Sequence, residues 1–243
     1  MSFEYQGSEL ELFAGASNWK SYIGEIVAPW LGQRVLEVGA GIGANLPYLA
    51  SDPTRQCVAL EPDRTLAEVI AHKIDDGELP GTCKIVNGTI EQLGENERFD
   101  TILYFDVLEH IADDRTELQF AVRHLSRGGR LVVLAPAHPL LFSPFDRAIG
   151  HFRRYSLSAL RALSPDGCTI IRCAMVDSIG FFASLFNRVL LRTAEPSRRQ
   201  IAFWDRYLVP LSRFTDRLTG YHFGKSVLVV WQWGAQSRAR TPN

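Results

Sequence analysis

Between residues 34 and 135, short aliphatic or β-branched runs alternate with longer segments of helical character, the pattern of a parallel sheet wrapped by helices. Strands are expected at 34–38, 56–61, 83–86, 100–105 and 130–135. Helices are expected at 44–50, 65–74 and 114–125, the last stopped by the pair Gly128-Gly129. Ahead of this unit, 16–28 reads as a helix ended by Pro29, which carries Trp19 and Tyr22 close to the first strand. After residue 155 the pattern changes to a helix from near Ser156, a strand at 168–175, a long helical stretch and a final strand at 225–233. Residues 177–222 hold an apolar string at 179–191 and a mixed segment at 204–218, punctuated by Pro196 and Pro210, and read as an inserted pair of helices. One domain is therefore expected, divided into an N-terminal helical lid (1–30), a core (31–176), the helical insertion (177–222) and a final strand with its tail (223–243).

Composition narrows the class. A chain of 243 residues with 46% hydrophobic content, 22% charge and net charge -1 is an ordinary globular protein, so no nucleic-acid partner is expected. Cys57, Cys83, Cys168 and Cys173 form no CxxC pair and sit mostly among apolar residues; they read as reduced core residues of a cytoplasmic protein, with no metal site expected. The start Met1-Ser2-Phe3-Glu4 lacks the basic and apolar signature of a signal peptide, and no apolar run approaches the roughly 18 to 20 residues that span a bilayer.

The most informative motif is the strand and glycine turn from Val35 to Gly43, with Gly39, Gly41 and Gly43. Glycines there permit a tight turn and let a ligand lie against bare backbone beside helix N-terminal amides. Gly39-x-Gly41-x-x-Ala44 also satisfies the looser dinucleotide fingerprint, and a purely structural turn is a further alternative. Glu61 closes the second strand about twenty residues on, where a carboxylate accepts from ribose hydroxyls; either cofactor would use it. Asp106 ends the fourth strand, at the sheet edge where open α/β proteins bind ligands, or else serves as a helix cap. Glu37 lies inside the first strand and needs a partner, supplied by a cationic ligand or by a structural salt bridge.

The run Val35 to Gly43, Leu60-Glu61-Pro62-Asp63, the segment 100–114 and the Gly128-Gly129 turn together resemble the successive motifs of class I S-adenosylmethionine-dependent methyltransferases. The resemblance covers about residues 15 to 175 and the last strand. It implies a Rossmann-like α/β fold, a seven-stranded mostly parallel sheet with helices on both faces and its last strand antiparallel, with the helical insertion read above falling before that strand. It implies S-adenosylmethionine as cofactor, with Gly39, Gly41 and Gly43 on the methionine part, Glu61 and Pro62 at the ribose, Thr89 and Ile90 at the adenine, and Asp106 and Val107 at the reaction site. Asn87-Gly88-Thr89-Ile90 departs from the family by offering a hydroxyl where an acid is frequent. A dinucleotide oxidoreductase would need a second mononucleotide half or a substrate domain, and the pattern shows neither.

Methyl transfer asks a protein to align the acceptor, exclude water and remove a proton. His110, His138 and His151 follow the fourth and fifth strands and are candidate bases, each with a structural alternative. The loop 137–155 is similar to one in a bacterial subgroup with a Gly-His-x-Arg-Arg-Tyr stretch, so Arg153, Arg154 and Tyr155, with Trp19 and Tyr22 from the N-terminal helix, are candidate contacts to a small-molecule acceptor. The alternative for the arginines is an ion pair with Asp146 that closes the loop. Glu61 is expected to serve ligand binding and not the fold. Two rival functions stand beside the enzyme: a membrane-surface methyltransferase or lipid-binding protein, suggested by Phe181-Phe182, Leu185-Phe186 and Val189-Leu190-Leu191 beside Arg188 and Arg192, and a catalytically silent cofactor-binding subunit.

Overall fold

The computed structural model describes residues 9–186 and 196–234. Seven strands form one sheet: β1 (Arg34–Val38), β2 (Gln56–Glu61), β3 (Cys83–Asn87), β4 (Phe99–Phe105), β5 (Leu125–Pro136), β6 (Cys168–Val176) and β7 (Ser226–Trp233). Their order is β3-β2-β1-β4-β5-β7-β6. The first five run parallel, and β7 lies antiparallel between β5 and β6. The winding reverses between β1 and β4, so a crevice opens past their carboxyl ends, the place where open α/β sheets bind ligands.

Alternation along each strand feeds two cores. In β1, Val35 joins the core on one face while Leu36 and Val38 join the other. The first core takes α2 (Ser17–Val27) and α3 (Leu46–Leu49), through Tyr22, Ile23, Val27, Leu46 and Leu49. α4 (Arg64–Asp75) adds Ile70. The second core takes α5 (Asp114–Arg123), through Leu118, Ala121 and Val122. Local chemistry starts these helices: Asp63 accepts from Leu66 N at 3.1 Å to cap α4, and Asp113 accepts from Thr116 N at 3.0 Å to cap α5.

Gly128-Gly129 does not end α5, which stops at Arg123 before β5 begins at Leu125. The pair lies within β5, where its register against β4 shifts between Phe99 and Thr101. A Cβ on Gly129 would stand 2.7 Å from Ser126 O, so glycine is what lets the strand fold over itself there.

The insertion holds more than a helix pair. α8 (Ser178–Phe186) follows β6, and α9 (Arg198–Phe203) runs through a π-helical turn (Trp204–Leu208) into α10 (Val209–Leu218). Pro210 does not break this helix, because it stands in the first turn of α10, directly after the π turn, where a missing N–H is tolerated. The part of the apolar string from 187 to 191, with Arg188 and Arg192, lies outside the described residues, as do 1–8 of the N-terminal segment and 235–243 of the tail. A short α1 (Glu9–Ala14) precedes α2, while α6 (Pro144–Ala148) and α7 (Leu157–Ala162) follow β5.

Candidate active site

A cavity of about 250 Å³ opens at the β1–β4 crevice. Its floor is the glycine turn and the end of β4, its walls the loop after β5, and its cover α1, α2 and Trp204 of the insertion.

Gly39 adopts φ 66°. A Cβ there would sit 2.7 Å from Val107 Cγ2, so a side chain is excluded by both conformation and space. The turn is held from below: Gly39 N donates to Leu60 O at 2.8 Å, and Gly41 N donates to Glu61 Oε2 at 2.7 Å. Glu61 Oε1 accepts from Asp63 N at 2.9 Å, so this buried carboxylate ties the glycine turn to the start of α4. Glu61 is therefore a fold contact too, a correction to its reading as a ligand contact alone. Above the turn, Leu10 of α1 would lie 3.1 Å from a Cβ on Gly41, which places the N-terminal helix over the loop.

Glu37 is buried beneath the floor. Its Oε1 accepts from Asn45 Nδ2 at 2.7 Å, and its Oε2 has no protein partner. Burial pushes its carboxyl up to about 7, against the pull of the Asn45 hydrogen bond. Asp106 lines the cavity at φ 53°, in the left-handed region that few residues other than glycine, asparagine and aspartate enter, with its N–H on Leu134 O at 2.9 Å. Lys20 and Lys225 also line it; burial lowers both ammonium groups, and Lys225 Nζ stands 4.8 Å over the Trp204 ring.

The loop after β5 supplies the opposite wall. Asp146 is fully buried and accepts from Ser143 N, Ser143 Oγ, Arg154 Nε and Arg154 Nη2 at 2.6–3.0 Å. Burial opposes its charge, yet the hydrogen bonds from His151 and Arg154 hold it well below the ordinary carboxylate range. An ionised Asp146 makes His151 Nδ1, 2.9 Å away, the protonated nitrogen of that ring. Arg154 Nη1 and both oxygens of Glu109, all buried, have no hydrogen-bond partner, and both residues line the cavity. His110 stands edge-on to His151 at 4.5 Å between ring centroids, and burial with that neighbour pushes it down to about 4.

Of the residues singled out in the sequence, Trp19, Gly39, Asp106, His110, His151 and Arg154 meet at this cavity. Others do not. Arg153 pairs with Asp114 at 2.6 Å and Ala112 O at 2.7 Å, and Tyr155 Oη donates to Asp114 at 2.7 Å, so both fasten the loop to α5. Tyr22 Oη donates to Asp216 at 2.7 Å, within the core between α2 and α10. His138 Nε2 meets Gly224 O at 2.8 Å, and its ring lies against Phe181. Ile90 is wholly buried in the second core, so its side chain faces no ligand, and Thr89 caps a 3-10 turn at the end of β3. Pro62 accepts from Asn87 Nδ2 at 3.2 Å, and Gly43 packs against Leu46 and Ile70. Sequence reasoning passed over Lys20, Glu109, Asp146, Asp177 and Lys225 as site residues. A charge inside an apolar run, as Glu109 is in Val107-Leu108-Glu109-His110-Ile111, was the available signal.

Residues 36–133 match the family model described as a methyltransferase domain. The tocopherol O-methyltransferase of Arabidopsis thaliana, a chloroplastic protein, is 28% identical over 115 residues, 44% of this chain and 31% of the relative, so the chain spans about a third of that protein. Among solved structures, coclaurine N-methyltransferase bound to N-methylheliamine and SAH superposes with TM-score 0.61 at 15% identity, over 87% of this chain and 71% of that one. The 4+2 cyclase SpnF has TM-score 0.58 at 16% identity, over 93% and 94% of the two chains. Mitomycin 7-O-methyltransferase has TM-score 0.57 at 14% identity, over 90% and 53%. Residues 36–133 thus resemble a methyltransferase domain, and the seven-stranded sheet that contains them shares the fold of these solved structures.

Proposed function

We propose that this protein transfers a methyl group from S-adenosylmethionine to an oxygen or nitrogen of a small acceptor held in the cavity. The observation that carries the reading is the glycine turn at the β1–β4 crevice, with the unpaired, buried Glu37 Oε2 beneath it. That orphaned acceptor fits a cationic amino-acid ligand, whereas an ionised carboxylate there would repel an anionic pyrophosphate. When bound, the cofactor supplies a methyl group on a sulfonium centre that a nucleophile displaces directly. The chain's own residues then divide the work. Gly39 and Gly41 offer backbone to the methionine part, and Glu37 balances its positive charge. Glu61 keeps lone pairs free for ribose hydroxyls even while it holds the turn. Thr89 stands at the adenine end, by its backbone position after β3.

On the acceptor side, Arg154 is oriented by Asp146 and keeps one N–H donor, Nη1, for an acceptor oxygen. His151, Asp106 and His110 line the same wall within reach of a departing proton, and α1, α2 and Trp204 exclude water. Calorimetry with S-adenosylhomocysteine and with NAD tests the cofactor: binding of the first and not the second is expected, and the reverse would overturn the reading. A cyclase shares this fold, so turnover must be read separately, as transfer of a labelled methyl group to an acceptor screen.

A second reading concerns where the protein works, and one surface favours it. Phe203, Tyr207, Leu211, Phe214 and Leu218 recur at helical spacing along α9 to α10, and each is more than half exposed. Arg199, Arg206 and Arg217 accompany this stripe, Arg198 and Arg213 beside them pair with Glu11 and Glu25, and Asp205 and Asp216 of the same stretch are buried. An apolar stripe with an excess of cationic charge beside it suits an anionic phospholipid surface. No helix among the described residues is long and apolar enough to cross a membrane. Co-sedimentation with phosphatidylglycerol vesicles, lost in Phe214→Ser and absent with phosphatidylcholine alone, is the expected result; no sedimentation with either would remove the reading.

A further inference from the structure

We infer that Glu109, His110 and His151 form a binding site for one divalent transition-metal cation on the acceptor wall of the cavity. Each residue offers one ligand atom, and the three atoms lie within 4.8 Å of one another. His151 Nε2 stands 3.8 Å from Glu109 Oε1, too far for a hydrogen bond and close enough for both to reach a shared ion with bonds of about 2.0–2.2 Å after a small closure.

A second observation points to a ligand independently. Glu109 has no exposure to solvent, and neither carboxylate oxygen has a hydrogen-bond partner. A buried carboxylate left this way is costly: Arg154 directs its Nε and Nη2 to Asp146, and among the described residues no hydrogen bond or ion pair joins Glu109 to Arg154, Lys20 or Lys225. A dication between Glu109 and the two imidazoles satisfies the carboxylate.

The surroundings hold the histidine in the pose a metal requires. His151 gives its Nδ1 hydrogen to Asp146 at 2.9 Å, which leaves Nε2, 3.8 Å from Glu109 Oε1, as the nitrogen with the lone pair. A carboxylate behind a histidine in this way fixes both tautomer and ring direction. Asp146 is itself pinned by Arg154 and Ser143. The two ligand segments are also tied together, because Phe152 N donates to Glu109 O at 2.8 Å.

Two imidazoles and one carboxylate, with further positions left open, suit manganese, iron, cobalt or zinc better than calcium, which takes oxygen ligands throughout. The site's use rests on the methyl-transfer reading: an ion here would hold an acceptor oxygen and favour loss of its proton to solvent, sharpening the nucleophile. Its existence does not rest on that reading.

The test is metal binding by the full chain, stripped with a chelator and titrated with manganese(II) by electron paramagnetic resonance and with zinc(II) by calorimetry. One equivalent is expected. Glu109→Gln and His151→Ala should each weaken it at least tenfold, Asp146→Asn should weaken it about tenfold or more, and His72→Ala on α4 should not change it. The variants' melting curves and S-adenosylhomocysteine affinity are read in parallel. Sub-stoichiometric binding of both metals to the wild type, or the same affinity in folded Glu109→Gln, would overturn the site. Metal binding without S-adenosylhomocysteine binding would keep the site and remove the methyl-transfer reading instead.

Discussion

Asp205 of the insertion caps the start of α2: its Oδ1 accepts from Trp19 N at 2.8 Å across 186 positions of sequence. Its Oδ2 accepts from Asn18 N and Asn18 Nδ2, both at 3.2 Å. Ala16, the residue before α2, makes no side-chain cap, so the helix borrows its cap from the far end of the chain. Asp205→Ala should lower stability by about 0.5–2 kcal/mol, the usual loss of an N-cap. Hydrogen exchange should accelerate across α2 more than across β1. Uniform acceleration in both would mean that the insertion does not secure this cover.

The Asp146–Arg154 pair predicts a sharper result. Two parallel hydrogen bonds, 2.8 Å and 3.0 Å, join the residues, and both side chains are largely shielded. Lysine keeps the charge but has no fork, so Arg154→Lys should cost about 1.5–3 kcal/mol in urea denaturation. Acceptor KM should rise while S-adenosylhomocysteine affinity stays within twofold. A loss of cofactor affinity as large as that of acceptor would place Arg154 on the wrong ligand.

Glu37 predicts a pH dependence. Its carboxyl is raised from 4.5 to about 7 by burial, so between those values the folded chain keeps a proton the unfolded chain has released. Its contribution to stability is therefore complete below pH 4.5 and is lost as pH rises through about 7. Glu37→Gln should abolish this falling component in urea midpoints measured from pH 4 to 8. A cationic cofactor prefers the ionised carboxylate, so affinity should climb by up to about tenfold per pH unit below 7 and level off above it. The same slope in Glu37→Gln would show that Glu37 does not carry it.

Tyr22→Phe tests a residue that the structure moves from the acceptor to the core. Its hydroxyl donates to Asp216, which also accepts from Asp177 N at 2.7 Å and Ser178 N at 2.9 Å. Removing one hydrogen bond to this buried carboxylate should cost about 1.5–3 kcal/mol. Acceptor KM should not move; a change in KM at unchanged stability would return Tyr22 to the site.

Glu61→Ala should act on both fold and ligand. S-adenosylhomocysteine affinity should fall by about 1.5–3 kcal/mol, and the free protein should melt earlier, because Gly41 N and Asp63 N lose their shared acceptor. An unchanged melting temperature would return Glu61 to a purely ligand-binding role.

The sheet and the glycine turn at its crevice were legible in the sequence. Strands β1 and β2 run over the residues expected, and β7 over all but the first of its expected positions, because β-branched runs buried on both faces are a local signal. The glycine turn was legible for a similar reason, since its conformation is written in residues 39 to 43 themselves. What the local pattern missed depends on partners far away in the chain. His110 and His151 were separate candidates until the loop after β5 folded back and set one ring 4.5 Å from the other. Glu109 looked like one charge among many until tertiary burial removed its solvent and left it without a partner. Arg153 and Arg154 are neighbours of identical chemistry, yet one holds α5 while the other faces the cavity, and only the positions of Asp114 and Asp146 decide which. Periodicity reports which face of an element is buried; which charges meet there depends on long-range packing, because electrostatic pairing follows distance in space and not distance along the chain.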